Sequence, residues 1–201
     1  MTVLPNSSRM SSRTSNRKER KMTISTKPGN WNLAAQICIV EIFYGNALLH
    51  LGSASIKEIR ERLDSMIAIG MSGDKEITNK EFARFWLELA WITQRAAENA
   101  GIRLFNVKPV ELATHICRKQ ADYGHDNISR FGRIGLLVRV HDKVARLENL
   151  LGRGVEPKNE SLVDNYIDVV GYATIGMMVE RGWFMLDLDR DAIEAAAPQG
   201  V

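Results

Sequence analysis

The stretch SIKEIRERLDSMIAIG, residues 55–70, decides the fold class. Ser55 followed three residues later by Glu58 forms a capping box, in which hydroxyl and carboxylate satisfy backbone N–H groups that a helix start leaves without partners. Behind it Ile56, Ile59, Leu63, Met66 and Ile67 recur at steps of three and four, which puts them on one face of an α-helix. Gly70 and Gly73 end it. Similar punctuation runs along the chain in both directions. Asn32 to Leu51 reads as an apolar helix, and Thr78 with Glu81 as a second capping box. The helix behind that box carries Phe82, Phe85, Trp86, Leu89, Ile92 and Ala96 and stops at Gly101. Pro109 suits a first helical turn, and the helix it opens runs to about Lys119 and closes in the turn at Tyr123-Gly124. A loop over 124–131 leads into a helix from about Gly132 to Leu151. Its inner face is expected to hold Ile134, Leu137, Val138, Val144, Leu147 and Leu151, with His141 as a packed core histidine. The last long helix is predicted from about Asn159 to Arg181. No stretch alternates with period two between hairpin turns. The expectation is an all-α helical bundle of about five to six helices, one domain over 31–201.

Charge is unevenly placed. Residues 1–30 carry seven basic groups and one acid, Glu19, leaving 20 basic and 23 acidic residues over 31–201. The tail has little to bury and is expected to be disordered. It holds no apolar run of signal-peptide type. The acidic remainder does not suggest a nucleic-acid-binding domain, so nucleic acid is expected at most weakly, through the basic tail. Cys38 and Cys117 sit in apolar surroundings with no CxxC partner, which fits packing in a reducing compartment. The most apolar run, Leu33 to Leu51, is broken by Gln36, Glu41, Asn46 and His50, so no membrane span is expected. A cytoplasmic location follows as the expectation.

The chemistry-bearing residues concentrate between Lys119 and Tyr172. Glu160, Asp164 and Asp168 are spaced i, i+4, i+8 and share one helix face. Stacked carboxylates repel, and a divalent cation such as Mg²⁺ or Mn²⁺ removes that cost. A solvated acidic face is the plainer reading. Asp168 stands against it, because it lies among Ile167, Val169 and Val170, where a carboxylate needs a partner. The preceding helix supplies a basic stripe, Arg139, Lys143 and Arg146, with Asp142 on its flank as a possible fourth ligand. Facing stripes can hold metal plus phosphate, or can simply pair as salt bridges. Asp122 and Tyr123 form a turn that can cap a helix or reach a ligand. No Walker A loop, dinucleotide glycine motif, nucleophile elbow or zinc spacing is present.

Taken in order, Asp122-Tyr123-Gly124, Lys143-x-x-Arg146-Leu147, Glu160-Ser161 and Asp164-Asn165-Tyr166-x-Asp168-x-x-x-Tyr172 resemble the nucleotide modification associated domain family (type one) of phages and bacteria. That family is similar to the all-α NTP pyrophosphatases of the MazG-like and dimeric dUTPase group. The resemblance covers residues 110–182; helices 31–105 resemble nothing in particular. It implies an all-α fold, Mg²⁺ on helix carboxylates and a nucleotide ligand; the bundle itself is expected to form a homo-oligomer. Glu160, Asp164 and Asp168 would be catalytic, and Lys143, Arg146, Arg139, Asp122, Tyr123, Asn165 and Tyr172 would contact substrate. MazG-like enzymes carry an E-x-x-E pair, where this chain has Arg139-x-x-Asp142. Three readings therefore stand side by side. The first is a metal-dependent pyrophosphohydrolase in nucleotide-pool control or phage DNA modification. The second is a nucleotide-binding or sensing module without turnover, and the third a structural helical interaction protein.

Overall fold

The computed structural model describes residues 27–45, 54–104, 108–153 and 161–196, with the side chain of Ile77 left aside. Among these residues the chain is all α, in eight helices and no strand. They are α1 Trp31–Gly45, α2 Ile56–Met71, α3 Lys75–Asn99, α4 Pro109–Tyr123, α5 Asp126–Ser129, α6 Gly132–Arg153, α7 Leu162–Glu180 and α8 Arg190–Ala195. The expected basic tail and the stretch 46–51 of the first expected helix lie outside the described residues.

Local signals act where the chain places them. Ser55 Oγ accepts from the Glu58 N–H at 3.4 Å and the Glu58 carboxylate accepts from the Ser55 N–H at 2.6 Å, closing the α2 capping box. Ile59, Leu63 and Met66 are buried. Pro109 is the first residue of α4, and Gly124 ends that helix with φ +68, a left-handed conformation glycine adopts without Cβ strain.

Four expectations are corrected. The helix behind Thr78 begins earlier, at Lys75; Asp74 caps it by accepting from the Glu76 N–H at 3.0 Å. Thr78 lies inside the helix, its hydroxyl donating to the Asp74 carbonyl, so its resemblance to a capping box is accidental. The loop 124–131 contains the short α5, and α8 follows the last long helix; both are too short for periodicity to announce. On α6 the inner face is Leu136, Leu137, Val140, Val144 and Leu147. Ile134, Val138 and Leu151 are exposed, and so is His141, which is no core histidine. Two apolar arcs run along this helix, and periodicity alone does not say which faces inward. Finally, α7 starts at Leu162 rather than Asn159, because Ser161 caps it.

The core forms around α7. Eleven of its 19 residues are buried, so it is apolar nearly all round, as a central helix must be. It packs chiefly against α3 and α6 and also touches α1. Its closest approach is to α3. A Cβ on Gly176 would stand 2.2 Å from Trp86 Cδ2, so the indole rests directly on the α7 backbone. Trp86, Phe82 and Phe85 form a fully buried aromatic cluster there, with ring centroids 4.8 to 6.1 Å apart. The α6–α7 pair is antiparallel: Arg133 near the start of α6 bonds Glu180 at the end of α7, and Lys143 in mid-α6 meets Asp168 in mid-α7. No described helix is long and apolar enough to cross a membrane.

Candidate functional site: the Asp168 cluster

Three helices contribute to one cluster. Asp168 projects from α7 with its side chain only 13% exposed. Lys119, from α4, donates to Oδ1 at 2.5 Å, and the ammonium of Lys143, from α6, lies 2.8 Å from Oδ2. A carboxylate set mid-helix among Ile167, Val169 and Val170 thus has the partners its burial demands. Burial pushes its pKa up, but the two ammonium groups outweigh that and hold the carboxyl below its usual range. Lys143 is 19% exposed, whereas Lys119 keeps 46% of its side-chain surface open to solvent. His115, one turn before Lys119, lies in the field of Lys119, Asp168 and Asp164. Burial and then Lys119 hold its pKa below the usual value, against the pull of the two carboxylates.

Asp164 lies one turn before Asp168 but is engaged in the helix start. Its Oδ2 accepts from the Ser161 N–H at 2.9 Å and the Ser161 hydroxyl at 2.8 Å, and its own N–H donates to Ser161 Oγ at 3.1 Å. Those hydrogen bonds lower its pKa. Glu160 lies outside the described residues.

The remaining expected site residues are scattered. Asp142 is 74% exposed, with His141 Nδ1 3.9 Å from its carboxylate. Arg139 is turned to the Asn127 side chain, tying α6 to α5. Arg146 is half-buried one turn beyond Lys143. Asn165 is fully buried; its Nδ2 donates to the Ser161 carbonyl at 2.8 Å and braces the start of α7, while its Oδ1 has no hydrogen-bond partner among the described residues. Tyr172 is half-buried against the core. Asp122 and Tyr123 are exposed in the last turn of α4.

Of the carboxylates expected to hold Mg²⁺, only Asp142, Asp164 and Asp168 are among the described residues. Among the described residues no three His, Cys, Asp or Glu side chains gather to hold a metal. Asp164 is committed to its cap and Asp168 to two ammonium groups. In the sequence Lys119 marks only the edge of the chemistry-bearing stretch, with no role assigned, and His115 lies outside it. Their spacing with Asp122, i, i+4, i+7 along α4, put them on one helix face and was the available signal. No protein-family model, curated protein or solved structure matches the chain.

Proposed function

We propose that this protein binds the phosphate groups of a nucleotide where α4, α6 and α7 meet, with Lys119 and Lys143 as the phosphate contacts. The observation that carries the reading is the convergence of two lysines, from different helices, on the two oxygens of one carboxylate. Two donors already spaced for a pair of anionic oxygens suit the paired oxygens of a phosphate, which lysine meets as a point charge. Arg146 one turn along α6 and the exposed Tyr123 at the end of α4 lie on the elements that border the cluster. The ordered motifs of residues 122–172, with their resemblance to nucleotide-handling all-α proteins, give independent support. Pyrophosphohydrolase activity would require carboxylates released to a cation, and no step is derived through one.

The 2.8 Å Lys143–Asp168 pair favours a second reading, in which the charged stripes only join helices. Calorimetric titration with nucleoside mono- and triphosphates, with and without Mg²⁺, and with pyrophosphate release followed in parallel, separates the readings. Triphosphates are expected to bind, and Lys119→Ala to weaken binding about tenfold, near 1.4 kcal/mol, while leaving stability nearly unchanged. If wild type binds no nucleotide, the nucleotide reading fails. Pyrophosphate release with Mg²⁺ would establish the enzyme.

A further inference from the structure

One helical turn to either side of the Lys143–Asp168 pair, the antiparallel helices α6 and α7 present different groups. Toward the start of α6, four residues from Lys143 and on the same face, stands Arg139. Toward the end of α7, four residues from Asp168 and on the same face, stands Tyr172, half-buried against the core. Arg139 donates through Nη2 to Oδ1 of Asn127, which brings α5 against this end. The opposite end is charged. Arg146 stands one turn beyond Lys143, and Asp164 stands one turn before Asp168 with its Oδ2 turned to Ser161.

The Arg139–Asn127 pair has a fixed hydrogen-bonding sense. A guanidinium carries N–H donors and no acceptor. Because it takes the Asn127 Oδ1, the polar group left on that amide is Nδ2, which also only donates. Both side chains therefore offer donors alone. On the basis of the phosphate contacts proposed above, we infer that the base of the nucleotide lies at this end, and that Arg139 and Asn127 select a base with a ring carbonyl where adenine and cytosine carry an amino group. Guanine presents O6 beside N7, and uracil presents O4; these acceptors satisfy such donors, whereas an amino group sets donor against donor. Tyr172 adds an aromatic ring next to a flat ligand. A step of four residues is about 6 Å along a helix, a distance the ribose spans between phosphate and base. Arg146, at the opposite end, continues the basic stripe for the further phosphates. Asn127 thereby has a role beyond tying α5 to α6.

The test is calorimetric titration of the full chain with GTP, ATP, UTP, CTP and inorganic tripolyphosphate. GTP or UTP is expected to bind tightest, and about tenfold tighter than the amino base of the same ring size, ATP or CTP. Asn127→Asp keeps a partner for Arg139, so the melting temperature should hold. It exchanges the Nδ2 donor for an acceptor, so the ratio between the two kinds of base should fall close to one. Nucleotides bound without preference for the carbonyl base overturn the inference and leave phosphate binding standing. So does a preference that Asn127→Asp does not alter, and so does tripolyphosphate bound as tightly as the best nucleotide, which would show that no base is held. If neither tripolyphosphate nor any nucleotide binds, the phosphate reading itself has failed and the base reading falls with it.

Discussion

Two of the three carboxylates on helix α7, Asp168 and Glu180, stand twelve residues apart, and their surroundings are opposite in kind. Glu180 is 7% exposed and is gripped by Arg133: Nε donates to Oε1 at 2.7 Å and Nη2 to Oε2 at 2.5 Å. The Trp86 indole N–H adds a 3.4 Å bond, and the guanidinium carbon sits 5.1 Å from the Phe82 ring centroid. A planar fork on a carboxylate, stacked on an aromatic ring, is a rigid fitting. Asp168 is nearly as buried but is met by two flexible point charges, one of them half in water. The difference separates a bond that fastens helices together from one that can exchange partners. Lysine ammonium groups reorient and accept a new anion; a forked guanidinium held over the Phe82 ring does so far less readily.

The comparison can be broken most severely at the rigid end. Glu180→Gln removes the charge facing Arg133 inside the protein, and the expected loss is about 4 kcal/mol, the scale of breaking a buried pair from one side. Urea denaturation reads it directly. A loss under about 1 kcal/mol would place this pair with ordinary surface bridges. Next in size is Gly176→Ala. The added methyl meets the fully buried Trp86 ring at 2.2 Å, and overpacking of this kind costs about 3 kcal/mol. Trp86 fluorescence should shift as the indole is displaced. The smallest effect is expected at the exchangeable end, where Asp168→Asn should cost about 1.5 kcal/mol, the worth of hydrogen bonds to charged groups discounted for the exposure of Lys119. Its pH signature sharpens the contrast. The folded pKa of Asp168 lies below the ordinary value of 3.8, so its contribution is present above that value and is lost as pH falls through the folded pKa. The wild type should therefore lose stability more steeply than Asp168→Asn as pH falls below about 4. Parallel acid-unfolding curves would show that the pair contributes nothing.

The fold class was legible because capping residues and helical periodicity are local. Ser55-Glu58, Pro109 and Gly124 act within one turn of chain and depend on nothing distant. What misled was equally physical. Thr78 and Glu81 have the spacing of a cap, but Asp74 stands four residues earlier and starts the helix first. Helix α6 has two apolar arcs, and which is inner depends on where α7 and α2 lie, information that is not in α6 itself. Asp168 was correctly singled out, since an acid amid β-branched residues needs a partner. One partner, Lys143, came from the basic stripe. The other, Lys119, lies 49 residues away on α4, and only the tertiary arrangement brings it near. Of the three-carboxylate stripe, Glu160 lies outside the described residues, Asp164 caps the start of α7 with Ser161, and Asp168 meets two lysines.

The central position of α7 has a consequence for how the chain is made. Helices α1, α3 and α6 each bury apolar residues against a segment that follows all of them in the sequence. As the polypeptide leaves the ribosome, these three emerge before the helix that completes their packing. Until residues 162–180 are out, Trp86 has no glycine backbone to rest on and Arg133 has no Glu180 to grip. The nascent protein therefore passes through an interval in which helices are formed but their inner faces are open to water. That interval, rather than the finished fold, is when this chain would draw the attention of chaperones.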